Sequence, residues 1–336
     1  MFKSTVPLLS SKVLRFLLGV SCCGLFSSAA PLRAAEGDQV IIGLVTKTEV
    51  NPFFVKMRQA AEAEAQKQGA KLIARAGKFD GDNEGQVAAI ESLVSAGAKG
   101  ILITPNNSTG ILSAIKKARD KGILVIALDT ATDPADAVDA TFATDNFEAG
   151  LKQGQYARKA LGDKPAKLAM LDGTPGGTVD TLRHNGFLKG FGIAEGDPVI
   201  VGKVITHGAQ DEGQTGMENL LSAHPDINVV YTINEPAAEG AYAAIKAAGK
   251  ANDIVLTSID GGKLGVQYVQ AGKIQATVMQ FPKLMAAKGV DAVVEYAKTG
   301  KKPSGFVNTG SELISDKPLP DLPAKDTKWG LENCWG

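Results

Sequence analysis

Asn51-Pro52-Phe53-Phe54 sets two aromatic rings beside an amide, directly after the apolar run Val40–Val45. Aromatic faces next to hydrogen-bonding groups suit a sugar ring, which has apolar C–H faces and a polar rim. The same residues also have a plainer use, with Pro52 opening a helix and both Phe filling a core. Polar groups recur at comparable places downstream, most of them just past a short apolar run. They are Thr104-Pro105-Asn106-Asn107, Asp129-Thr130, Thr144-Asp145-Asn146, Asp172-Gly173-Thr174, Asn234-Glu235, Asp260-Gly261 and Gln280. Any one Asp or Asn in such a place ordinarily caps the next helix. Their recurrence at nearly every such point, with Arg183 on the segment after Asp172, is what suggests a binding site. Carboxylates accept charge-assisted bonds from hydroxyls, amides donate and accept, and Arg donates in a fork. That inventory fits a neutral polyol.

Reactive chemistry is poorly served. The three histidines, His184, His207 and His224, lie in no nucleophile motif and form no His-x-x-x-His metal pair. There is no Gly-x-x-x-x-Gly-Lys-Ser/Thr phosphate loop, and no Gly-x-Gly-x-x-Gly follows the first apolar run. Cys334 is the only cysteine past residue 35, so an intrachain disulfide or a Cys-based metal site is not expected there. The expectation is a binding protein with no catalytic residue, metal or cofactor.

The elements that must position these groups alternate. Strand-like runs are Val40–Val45, Lys71–Ala74, Gly100–Thr104, Leu124–Leu128, Lys167–Leu171, Val199–Val204, Asn228–Ile233, Ile254–Ser258 and Gln275–Met279. Between them lie stretches with apolar residues at i, i+3 and i+4, such as Phe54–Gln68, Glu84–Ala96, Phe147–Leu161 and Val179–Gly190. Nearly continuous apolar strands joined by helices predict parallel sheets built from βαβ units. In such sheets, ligands bind at the carboxyl ends of the strands. Asp129–Thr144 looks irregular, and a fresh series starts at Phe147, so two sheets of about half the chain each are expected. The tail after Lys317, with Pro318, Pro320 and Pro323, looks extended and irregular.

The ends of the chain differ in charge. Lys3, Lys12, Arg15 and Arg33 are unaccompanied by acids within residues 1–35, leaving 36 − 4 = 32 basic against 36 acidic residues beyond them. A slightly acidic remainder carries no electrostatic footprint for nucleic acid or anionic membrane. The basic start, the apolar core Phe16–Phe26 and the small residues Ser27–Ala30 and Ala34–Ala35 read as an export signal over 1–35, cleaved between Ala29 and Ala35. Cys22, after the small Ser21, makes lipid attachment conceivable, but Gly19 stands where such signals usually have Leu.

Taken together, Asn51-Pro52-Phe53-Phe54, Leu128-Asp129, Thr144-Asp145-Asn146, Arg183-x-x-Gly186-Phe187, Asn234-Glu235, Ile259-Asp260-Gly261 and Ala276-Thr277-x-x-Gln280 resemble the ribose-type periplasmic sugar-binding proteins of ABC importers. The likeness runs from about Val40 to Lys317 and looks closest to the fructose-import group, through Asn51–Met57, Gln86–Glu91, Ala140–Asn146, Ile233–Ala238 and Cys334-Trp335-Gly336. It implies a type I fold: two Rossmann-like doubly wound lobes joined by a three-segment hinge, with 36–144 plus 281–309 in one and 145–280 plus 310–336 in the other. By that likeness, Phe53 and Phe54 stack on the sugar, while Asn51, Asp129, Thr144, Arg183, Asn234, Asp260 and Gln280 supply polar contacts. The implied partners are a fructose-like monosaccharide, with mannose or ribose also admitted, and an inner-membrane permease, with the protein a periplasmic monomer. Ribose receptors carry Arg after the Asp matching Asp129, where this chain has Thr130, and an aromatic near His207-Gly208. Those departures suggest a pocket cut for a ketohexose. A receptor for ribose or a furanose-like signalling molecule, serving transport or chemotaxis, is the alternative.

Overall fold

The computed structural model describes residues 39–336; the expected export signal and Cys22 lie outside them. Strand β1 (Ile41–Thr46) is buried from Ile42 onward, as a strand covered on both faces must be. It pairs in parallel with β2 (Lys71–Ala76) on one side and β3 (Gly100–Ile103) on the other. Beyond β3 come β4 (Leu124–Leu128) and β5 (Ala140–Ala143), also parallel. Helices α1 (Pro52–Lys67), α2 (Asn83–Ser95) and α3 (Leu112–Asp120) make the crossovers.

The chain then leaves this sheet and builds a second one. After α4 (Asn146–Leu161) come β6 (Leu168–Asp172), α5 (Thr178–Phe191), β7 (Ile200–Ile205) and α6 (Gln210–Ala223). There follow β8 (Val229–Thr232), α7 (Glu235–Ala247), β9 (Val255–Asp260), α8 (Lys263–Gln270) and β10 (Ala276–Met279). Helix α9 (Pro282–Thr299) returns to the first sheet, where Met285, Val290 and Val293 join Ile42, Leu44 and Leu102 in one core. Strand β11 (Gly305–Asn308) completes that sheet beside β5, and β12 (Glu312–Ile314) closes the second sheet antiparallel to β10. The two six-stranded orders are β11-β5-β4-β3-β1-β2 and β12-β10-β9-β8-β6-β7. Three chain crossings join the lobes: Ala143 to Asn146, Met279 to Pro282, and Asn308 to Glu312.

The structure departs from the sequence expectations at three strands and in the tail: β5, β11 and β12 are not among the expected strand runs, and β12 is antiparallel where parallel sheets were expected. β5 falls in the stretch read as irregular, because four residues are too few to display a period; its pairing with β4 and β11 makes it a strand. The tail is not all extended either, since α10 (Thr327–Asn333) forms in it. Asp326 caps that helix by accepting from the Trp329 amide at 2.8 Å, and the segment packs Trp329 and Leu331 against Val266, Met279 and Ile314. One glycine pair matters for the site: Gly150 and Gly154 let α4 lie against α5. A Cβ on Gly150 would stand 2.2 Å from the carbonyl oxygen of Arg183. Among the described residues, no helix is long and apolar enough to cross a membrane.

Candidate functional site

The carboxyl ends of the two sheets enclose a crevice. Asn51, Phe53, Phe54 and Asp129 reach it from the first sheet's side, and Arg183, Asn234 and Asp260 from the second, with Gln280 from one of the crossings. Eight of the nine residues singled out in the sequence therefore share one space. Thr144 stands apart: its hydroxyl donates to the Gly310 carbonyl at 3.3 Å, tying two of the crossings together. At the lip the lobes touch. The Ser108 amide donates to Gly176 at 2.9 Å, the Thr178 amide to Ser108 Oγ at 3.0 Å, and Thr178 Oγ1 to Ala131 at 2.8 Å. The described conformation is a closed one.

Local structure sets each group. Asn51 caps α1 by accepting from the Phe53 amide at 2.9 Å, and Pro52 occupies the first helical position. Phe53 and Phe54 then meet edge to face, with centroids 5.5 Å apart at 84°. Both rings also belong to the first lobe's core, so the structural and ligand readings of this motif coexist. Asp129 and Asp260, at the ends of β4 and β9, have φ of 61° and 149°. Backbone held there is strained for a side chain other than Gly, a feature that concentrates at functional sites. Arg183 is clamped, with Nε donating to Asn146 Oδ1 at 2.8 Å and Nη1 to the Ile233 carbonyl at 2.9 Å. Its Nη1 also lies 3.9 Å from Asp260 Oδ1, which accepts from Gln280 Nε2 at 2.9 Å. The amide of Asn234 is used locally, capping α7 at Ala237 and donating to Gly208 at 3.1 Å. Behind the crevice, Glu235 accepts from the Gly261 and Gly262 amides and from Thr277, which fixes the turn after Asp260.

Three charged residues that the sequence reasoning passed over also line the crevice: Lys47, Asp80 and Asp180. Lys47 is the residue after β1, so its strand-end position was a readable signal, but an isolated lysine there looks like a solvated cation. Asp80 sits in a turn, and Asp180 looks like an ordinary acid in the first turn of a helix. The crevice thus holds four carboxylates, those of Asp80, Asp129, Asp180 and Asp260, against the cations of Lys47 and Arg183. Lys47 Nζ lies 3.7 Å from Asp80 Oδ1. Burial pulls the Lys47 ammonium down, but Asp80, Asp180 and Asp129 outweigh that and hold it above its ordinary value. Burial pushes the carboxyls up: Asp129 rises despite Arg183 and Lys47, Asp180 reaches about 6 and Asp260 about 7.

Four buried acceptors facing this charge cluster have no hydrogen-bond partner: Asp80 Oδ1, Asp129 Oδ1, Asp180 Oδ2 and Gln280 Oε1. An unsatisfied buried acceptor costs about 1–3 kcal/mol each. Oxygens of this kind, next to two aromatic rings, are matched by a compact ligand that brings several hydroxyl donors. Among the described residues, no group of three His, Cys, Asp or Glu side chains could hold a metal ion.

Residues 42–302 match the family model described as a periplasmic binding protein domain. The ribose import binding protein RbsB of Bacillus subtilis is 32% identical over 289 residues, covering 86% of this chain and 92% of the relative. The D-allose-binding periplasmic protein of Escherichia coli is 28% identical over 297 residues, covering 87% and 93%. In structure, the chain is similar to a solute-binding protein from Actinobacillus succinogenes with bound D-allose. There the TM-score is 0.74 and the identity 28%, over 82% of this chain and 98% of the other.

Proposed function

Because this chain belongs to the periplasmic binding protein family, we propose that it captures one neutral monosaccharide between its lobes and presents the closed complex to the permease of an ABC importer. The observation that carries the reading is the set of buried acceptors without a hydrogen bond on Asp129, Asp180 and Gln280, with Asp80 beside Lys47, in the crevice that Phe53 and Phe54 line. Closure lets groups from both lobes bond the ring and expels water. It is favoured only by the difference in affinity between the closed and open forms. The lobe assignment, 36–144 with 281–309 against 145–280 with 310–336, is supported by β11 pairing with β5 and β12 with β10. Export to the periplasm through residues 1–35, action as a monomer, and binding without turnover belong to the same reading.

The sugar we propose is D-fructose. Thr130 spends its hydroxyl on Asp129 Oδ2 at 3.0 Å, so the cationic side of the pocket is left to Lys47 and Arg183. In a thermal-shift panel of purified mature protein, fructose raises the melting temperature more than ribose or allose does. A larger shift with ribose, or with a furanose such as galactofuranose, gives the pocket to the alternative ligand class. Asp129 is expected to matter whichever sugar wins. Asp129→Ala weakens binding about 10–100-fold, the loss of one charged hydrogen bond of about 1.5–3 kcal/mol. Unchanged calorimetric affinity in the folded variant removes Asp129 from the contact set.

A further inference from the structure

Near the end of the tail, the Trp335 side chain passes from the second lobe to the first. Trp335 is buried at 5% exposure, and its backbone is attached to the second lobe by a parallel bridge to Gly262 and a bond from the Lys263 amide to its carbonyl at 2.8 Å. Its indole Nε1 donates to the Asp260 carbonyl at 3.0 Å, on a residue whose backbone is held at a φ of 149°. The ring itself joins the core of the first lobe, edge-on to Phe53 with centroids 5.5 Å apart at 80°. Phe53 is therefore held between Trp335 and Phe54, with one ring contact supplied from its own helix and the other from the opposite lobe.

We propose that Trp335 is a positioning residue for the sugar site, locking the Phe53 ring and the Asp260 strand end in place when the lobes close. The inference rests on the sugar-binding reading and deepens it. Opening the lobes separates a ring carried on one from a ring carried on the other, so the Trp335–Phe53 contact belongs to the closed form and slows its release. A sugar that needs the closed form then binds with an affinity scaled by how populated that form is.

The test uses full-length mature protein with D-fructose and D-ribose as probes. Trp335→Ala is expected to weaken whichever sugar binds by about five- to tenfold, the worth of one aromatic pair, mainly through faster dissociation in stopped flow. Trp335→Phe is expected to recover part of that loss by restoring the ring contact, but not the part owed to the indole N–H bond to the Asp260 carbonyl. Equal affinity and equal release rate for Trp335→Ala and wild type overturn the positioning role while leaving the sugar-binding reading intact. Wild type that binds neither these sugars nor any of a wider monosaccharide panel overturns both. A measurement that leaves residue 335 untouched guards against misfolding of the alanine variant. With Trp329→Phe, Trp335 is the sole indole of the mature chain, and its emission is expected to shift to the blue when sugar closes the lobes. Sugar binding with no change in that emission contradicts the inference.

Discussion

Arg183→Met lowers sugar affinity by at least about 100-fold. The guanidinium is buried at 3% exposure beside Asp260 and held by Asn146 and Ile233. Each charged hydrogen bond lost between the guanidinium and the sugar costs about 1.5–3 kcal/mol of binding, and every 1.4 kcal/mol is tenfold in affinity, so two such bonds account for the loss. Here the loss leaves Lys47 as the only cation among four carboxylates, and the crevice resists closing. Arg183→Lys restores charge but not the fork, since one ammonium cannot take both the Nε and Nη1 positions, so it recovers only part of the affinity. Calorimetry with the variants checks this, with circular dichroism to confirm folding. A methionine variant that is folded and within about threefold of wild type contradicts the role given to Arg183.

Sugar affinity rises with pH between about 5.5 and 7.5, by about tenfold. Asp180 at about 6 and Asp260 at about 7 are raised above the ordinary carboxyl value of 3.8, first by burial. A carboxyl raised in the folded state favours folding below its unfolded pKa, and that contribution is lost as pH rises through its folded pKa. Without ligand, these two groups therefore make the protein less stable as pH climbs from about 4 to 7. A sugar reverses the preference, because hydroxyl donors bond an ionised carboxylate more strongly than a neutral acid. Binding then releases about one proton near pH 6.5. Calorimetry at that pH in two buffers of different ionisation enthalpy shows the release as a difference in observed heat. Identical heats together with a flat affinity profile contradict it.

Much of this arrangement is legible in the order of residues alone, for a physical reason. A strand buried on both faces must be a nearly unbroken apolar run, so its end is marked by the first polar residue. That rule places Asp129, Asn234, Asp260 and Gln280, and Asn51-Pro52-Phe53-Phe54 is marked by its own composition. The rule fails where local pattern is silent. β5 is four residues long and exists through its partners β4 and β11. Lys47 and Asp180 look like surface charges in the sequence, and only the assembled crevice, which both line, sets them among other charged groups. Thr144 does not line the crevice, and its hydroxyl donates to the Gly310 carbonyl between two of the crossings, a partner its position after an apolar run does not reveal. Asn234 reaches the crevice and also holds the loops, spending one N–H on Gly208 and one lone pair on the Ala237 amide while a second donor and a second lone pair remain. Trp335 lies 75 residues from Asp260, and its bond to that carbonyl has no counterpart in spacing or periodicity.

The central claim is that loops from both lobes jointly grip one uncharged sugar. A crystal structure of the mature protein grown with D-fructose tests it most directly. The expected result is a single ring lying against Phe53 and Phe54, with hydroxyls within hydrogen-bond distance of Asp129, Asp260, Arg183 and Gln280. A sugar bound by one lobe alone, or seated outside the crevice while Asp129 and Asp260 keep no ligand contact, contradicts it.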